Sequence, residues 1–288
     1  MPLINVRGVD HYYEWVRSTN SSEPVKSKPV MVFVHGWGGS GKYWQETAIA
    51  LSSEYDCLTY DLRGFGRSND LGEGTNIGYE LEEYVEDLAT LLANLKINRV
   101  YLHAHSMGAS IAALFLNRYE HLVEKAILTC NGIFEYDQKA FAAFHKFGGY
   151  VVKFRYNWFL KVPFADQMFM ARFLSRPIKK SDRLEFLADF LLANYDAALG
   201  TILTSVSKQA VIEMPKEFKQ INVPTLMISG EKDQIIPAEM GRQASMLNDK
   251  LEYQEISNTG HFPMLEAKDI YLERVRTFLC ASSILANA

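Results

Sequence analysis

Leu102–Ala109 reads LHAHSMGA, and the fold turns on what this stretch lies between. Upstream, Arg99 to His103 predicts a strand; downstream, Met107 to Arg118 suits a helix. Ser106 therefore stands at a strand-to-helix junction, with the small residues Ala104 and Gly108 two positions away on either side. So sharp a turn drives side chains at those two positions against neighbouring backbone, and it presents a strained serine at the carboxyl edge of a sheet. The pattern departs from G-x-S-x-G at Ala104, whose extra methyl predicts slightly tighter packing. Five-residue strings of this kind arise by chance, so the surrounding chain must carry the argument.

Apolar runs and helical periodicity alternate on both sides of the serine. Val30 to Val34 and Cys57 to Tyr60 read as strands, and Tyr43 to Leu51 between them as a helix. Tyr79 to Leu95 carries Leu81, Tyr84, Val85, Leu88, Leu91, Leu92 and Leu95 on one helical stripe. Lys125 to Cys130 reads as a strand, and the rhythm resumes with strands at Thr225 to Ile228 and Leu251 to Ile256. Strand and helix in alternation point to an α/β class with a largely parallel sheet. Asn20 to Lys28, rich in Ser, Lys and Pro, predicts a turn between early strands. Val34 to Ser40, VHGWGGS, follows its strand as a glycine-rich loop able to turn backbone N–H groups toward the serine. An anionic tetrahedral intermediate needs two such donors.

HGWGGS, DLRGFGRS, HSMGA, SGEKDQIIP and NTGHFPMLE follow one another in a fixed order, and on them the chain resembles the α/β-hydrolase fold superfamily from about residue 30 to about residue 280. The resemblance implies a mostly parallel eight-stranded sheet flanked by helices, with a helical cap insertion. It also implies the chain order nucleophile, acid, histidine. The nucleophile is then Ser106, and the oxyanion donors are the N–H groups of Trp37 and Met107. The acid falls at Asp233 within ISGEKDQIIP, where position selects it over its neighbour Glu231. The base falls at His261 within NTGHFPMLE, an imidazole able to take and return a proton near neutral pH. His35 resembles the residue that braces the oxyanion loop, and Gly36, Ala104 and Gly108 support loop and elbow. His105, at the variable elbow position, belongs with this elbow and loop support and is placed to line the pocket as well, while Asp61 to Ser68 resembles a structural turn. His11, His103, His121 and His145 read as structural or exposed.

Composition narrows the function. The 288 residues are 48% hydrophobic, enough for a large core, and the formal charge of −4 gives no sign of a nucleic-acid partner. Cys57, Cys130 and Cys280 form neither a disulfide framework nor a zinc pattern, and no HExxH, paired CxxC, GxGxxG or P-loop occurs. The expectation is therefore no metal and no cofactor. With free thiols and no apolar run of membrane-spanning length, the expected setting is soluble and cytoplasmic.

Between the two α/β blocks, 1–133 and 218–288, residues 134–217 turn helical and aromatic. Phe141, Phe144, Phe147, Val151 and Phe154 recur at helical spacing, followed by Trp158, Phe159, Phe164, Met168, Phe169 and Phe173, so this segment is expected to cover something. It carries twelve Lys and Arg against nine Asp and Glu, an excess that solvated charges around helices packed on their own apolar faces would explain first, and that also leaves room for an anionic or interfacial substrate and transient contact with a membrane surface. The resemblance makes it a cap over a pocket for a hydrophobic small molecule or acyl chain, cleaved at a carboxylic ester through an acyl-enzyme on Ser106. Thioester and carbon-carbon bond hydrolysis use the same triad. A receptor that keeps triad and capped pocket is the reading from another class, and cofactor-free haloperoxidase-like side activity also stays open. Dehalogenase and epoxide-hydrolase chemistries are disfavoured, because related sequences place aspartate where Ser106 stands.

Overall fold

A computed structural model describes residues 2–18, 28–72, 76–135 and 137–281. The turn expected at Asn20 to Lys28 lies almost entirely outside these. Eight strands form one sheet: β1 (Leu3–Val6), β2 (Val9–Val16), β3 (Val30–Val34), β4 (Asp56–Tyr60), β5 (Val100–His105), β6 (Val123–Thr129), β7 (Thr225–Gly230) and β8 (Leu251–Ile256). Their spatial order is β1-β2-β4-β3-β5-β6-β7-β8, and β2 alone runs against its neighbours. This is the mostly parallel eight-stranded sheet that the sequence predicts. The central strands β3, β5, β6 and β7 are buried nearly throughout, β3 made wholly of apolar residues and the others mostly of apolar residues, His and Thr, as strands covered on both faces must be.

Eleven helices surround or follow the sheet among the described residues: α1 (Gln45–Leu51), α2 (Leu81–Asn94), α3 (Met107–Arg118), α4 (Gln138–Lys153), α5 (Ala165–Met170), α6 (Lys180–Leu192), α7 (Tyr195–Ser205), α8 (Lys208–Gln220), α9 (Ala238–Ser245), α10 (Pro263–Glu266) and α11 (Lys268–Cys280). Alternation along the strands sorts them into layers. Val32, Val34, Leu102, Ala104 and Leu128 face a cluster built with α2, α3 and α8, whereas Met31, Phe33, Ile127 and Ile228 face one built with α1 and α11. The stripe read on α2 is buried as expected, and it also buries Asp87, paired at 2.7 Å with the equally buried Arg63. The helix expected from Tyr43 begins as a 3-10 turn, Gly41–Trp44, capped by the Ser40 hydroxyl, which accepts from the Lys42 N–H.

α4 to α8 occupy the chain between β6 and β7. Residue 217 falls inside α8, whose Met214 and Phe218 are buried in the sheet-side core. α4 departs from expectation: Gly148 and Val152 face inward, with Gly148 against Ile202 of α7, while Phe144, Phe147 and Tyr150, and Phe154 just past the helix, are exposed. Among the described residues no single helix is long and apolar enough to cross a membrane; α6 and α7 reach that length only together, bent by 98°.

Candidate active site

The site residues gather at the carboxyl ends of parallel strands, on the end of β5, the first turn of α3 and the loops that follow β3, β7 and β8, where side chains from separated sequence positions converge. Ser106 follows β5 with φ 53° and ψ −123°, a conformation that costs a non-glycine residue roughly 1–3 kcal/mol and survives only when its surroundings hold it. They do so on both sides. The Ser106 N–H donates to the Thr129 carbonyl at 2.9 Å, and its carbonyl accepts from the N–H of Ala109 and the Asn131 Nδ2. The two flanking positions turn out unequal. A Cβ at position 108 would meet the carbonyl oxygens of His35 at 2.4 Å and Val34 at 2.8 Å, so only glycine fits there. Ala104 takes its methyl fully buried inside β5, so the departure from glycine is absorbed by the core.

Ser106 Oγ lies 3.0 Å from His261 Nε2, and His261 Nδ1 lies 2.7 Å from Asp233 Oδ2. Burial works to raise the Asp233 carboxyl, but the His261 imidazole and the N–H groups of Ile236 and Ile235 outweigh it and hold the group below the ordinary carboxylate range. An ionised carboxylate only accepts, so Nδ1–H donates to Asp233 and the Nε2 lone pair faces the Ser106 hydroxyl. Glu231 plays another part: its carboxylate accepts from the Asn258 N–H at 2.7 Å and braces the loop ahead of the histidine.

The oxyanion loop leaves β3 beside the serine. A Cβ on Gly36 would meet Ser106 Cβ at 3.0 Å, which places this backbone directly against the nucleophile. Met107 occupies the first position of α3, where the N–H has no intrahelical acceptor. Trp37 is pinned from outside, its indole N–H donating to the Ala198 carbonyl at 3.0 Å and its ring meeting Phe190 of α6. His35 is fully buried, which holds it neutral: Nε2 accepts from the Leu62 N–H at 2.8 Å and Nδ1–H donates to the Gly36 carbonyl. The Asp61–Ser68 turn is locked in the same corner, Asp61 accepting from the Gly41 N–H and from the Arg67 guanidinium.

His105 is 1% exposed and belongs to the framework rather than to a pocket wall. Burial, with His261 beside it, depresses its basicity strongly, so the ring is neutral. Its Nε2–H donates to the His261 carbonyl at 2.7 Å, which leaves Nδ1 to accept from the Tyr43 hydroxyl at 3.0 Å. Tyr43 in turn accepts from the Gly36 N–H. One chain of hydrogen bonds thus ties the oxyanion loop to the histidine loop beneath the serine. Tyr43 lay outside every quoted motif. Glu266 stood at the end of one, yet nothing in its type or spacing announced that its carboxylate accepts from the N–H groups of Gly260, Phe262, Ser175 and Arg176.

The donor atoms of His105, Cys130 and His261 lie within 4.8 Å of one another. They are engaged otherwise: both nitrogens of each imidazole make the bonds just described, and burial together with Asp233 keeps the Cys130 thiol protonated. A cavity of about 180 Å³ lies on the far side of Tyr43, lined by Lys42, Glu46, Phe186 and Asp189. Of the other histidines, His11 and His103 are buried, His145 is half-buried and His121 is exposed.

Four histidines, His11, His35, His103 and His105, are held below the ordinary imidazole value by burial, His103 down to about 3. Above a pH of about 6.5 both folded and unfolded chains carry them neutral; below it the unfolded chain takes up protons that the folded one refuses. Stability is therefore lost as pH falls from about 6.5, at up to roughly 1.4 kcal/mol per pH unit for each histidine. Thermal unfolding should shift down by many degrees between pH 7.5 and pH 5 with net proton uptake in calorimetry; a flat profile would contradict the neutral assignments.

The alpha/beta hydrolase fold family model matches residues 29–268. The chain is 24% identical to the non-heme chloroperoxidase CPO-A1 of Kitasatospora aureofaciens, covering 91% of this chain and 92% of the relative. It is 23% identical to the pimeloyl-(acyl-carrier protein) methyl ester esterase of Vibrio cholerae, covering 86% and 93% respectively. Among solved structures it is similar to the bromoperoxidase of Bacillus anthracis at a TM-score of 0.77 and 25% identity, over 94% of this chain and 95% of that one. With the match spanning β3 to β8, the elbow and the loops that carry the site, the chain belongs to the alpha/beta hydrolase fold family and is an enzyme of that kind.

Proposed function

We propose that the chain is a serine hydrolase that cleaves a carboxylic ester of a hydrophobic small molecule or acyl chain. The observation that carries this reading is the row Ser106–His261–Asp233, at 3.0 and 2.7 Å, with the imidazole oriented to accept the serine proton. Ser106 Oγ attacks the ester carbonyl as His261 Nε2 takes its proton, and Asp233 stabilises the imidazolium. The oxyanion that develops is met by the N–H groups of Trp37 and Met107. Collapse expels the alcohol with the proton from His261 and leaves an acyl group on Ser106. Water then attacks with the same imidazole as base, releasing the acid and restoring the hydroxyl.

Residues 134–217 serve as the cap over this site. Support comes from the aromatic wall that α6 and the segment before it lay against the loops: Phe190 meets Trp37, and Phe173 meets His261 at a centroid distance of 6.1 Å. Such walls suit an apolar acyl or alcohol group. The esterase named among the relatives is consistent with this chemistry. A fluorophosphonate probe should label the chain once, at Ser106, and a p-nitrophenyl ester series should show a chain-length optimum that sizes the pocket. A folded protein that takes no label and turns over no ester would sink the proposal.

A further inference from the structure

Amphipathic helices of water-soluble domains turn their apolar stripe to the core. α4 does the reverse with three of its aromatics: Phe144, Phe147 and Tyr150, three apart, face solvent, Phe147 at 63% exposure, and Phe154 just past the helix end joins them. The chain that follows continues the surface, with Trp158 57%, Phe164 67% and Met168 76% exposed. Neighbouring rings touch in sequence from Tyr150 through Phe154 and Tyr156 to Trp158, so these four form one continuous aromatic strip. Phe164 is also held at φ 61°, a left-handed conformation that a bulky residue seldom adopts, while its ring remains in solvent.

Charge sets the chemistry of the occupant. Lys139, Lys146 and Lys153 recur every seven residues on α4 and are all exposed, as is Lys161 further on; residues 138–165 contain no Asp or Glu. Rings carrying a polar edge, interleaved with lysines whose stems lie along apolar surface, suit the boundary between headgroups and acyl chains. Uniform positive charge favours an anionic leaflet. We propose that the outer face of α4 and of residues 154–168 docks onto an anionic phospholipid bilayer. From beneath, Val151 and Phe159 of the same region pack on the apolar cluster around Phe190 against which Trp37 also packs, so docking would place the lipid over the candidate site.

Sedimentation with vesicles tests this without any turnover measurement, so its outcome is independent of the hydrolase reading. The full chain should bind phosphatidylglycerol-rich vesicles at least about tenfold more tightly than pure phosphatidylcholine vesicles, and raised salt should erode the difference. Phe147→Ser, Tyr150→Ser and Trp158→Ser combined should cut binding to the anionic vesicles about tenfold or more. Lys139→Glu, Lys146→Glu and Lys153→Glu combined should abolish the preference for them. Both variants alter exposed side chains, and an unchanged thermal transition will report that they fold. Absence of vesicle binding by the unaltered chain, or binding indifferent to both variants, overturns the proposal. So does a lipid-free dimer in light scattering that the aromatic variant dissolves, which would assign the face to a second copy.

Discussion

Ser106→Ala should lower ester turnover about 10⁴-fold or more and leave the fold in place. The Oγ hydrogen-bonds to His261 alone among the described residues, while everything that holds the elbow runs through the Ser106 backbone: its N–H to Thr129, its carbonyl to Ala109, Ser110 and Asn131. Alanine has nearly the same steric cost as serine at φ 53°, so the thermal transition should move by no more than about 1 kcal/mol in stability. Substrate binding should persist, because walls and donors remain, so the loss should appear in kcat rather than KM. Fluorophosphonate labelling should vanish with it. Residual turnover within tenfold of the unaltered chain, in a protein that melts normally, would remove Ser106 from the chemistry.

The sheet could be read from sequence because its central strands are covered on both faces and so appear as short apolar runs between turn residues, as in Val30–Val34 and Thr225–Gly230. The elbow could be read because its constraint is local: Gly108 must be small where the His35 carbonyl passes at 2.4 Å from a would-be Cβ. What escaped depends on partners remote in the chain. Tyr43 acquires its place by meeting His105, 62 positions away, and Glu266 by meeting Ser175, 91 away; no spacing rule links such pairs. α4 illustrates a different limit. Periodicity reveals that a stripe exists but not which way it faces, and here the Gly148 side packs on Ile202 while the aromatic side faces out.

The larger test of the acid assignment is a pair of isosteric substitutions two residues apart. Asp233→Asn preserves shape, and its side-chain oxygen can still accept from Ile235 and Ile236, but its amide donates toward His261 Nδ1. That forces the imidazole proton onto Nε2, where it points at the serine hydroxyl and blocks proton abstraction, so kcat should fall about 10⁴-fold at neutral pH. Glu231→Gln retains an oxygen for the Asn258 N–H and leaves the imidazole untouched, so activity should stay within about threefold. Stability supplies a second readout with a definite sign. The Asp233 carboxyl is depressed in the folded chain, so it contributes stability above the unfolded value of about 3.9 that is lost as pH falls through the folded value. The Asn variant should lack that part of the acid transition, whereas the Gln variant should retain it. If Glu231→Gln proved the more damaging of the two, the imidazole would be oriented from the wrong side of the loop, and the proton path from Ser106 through His261 would have to be redrawn.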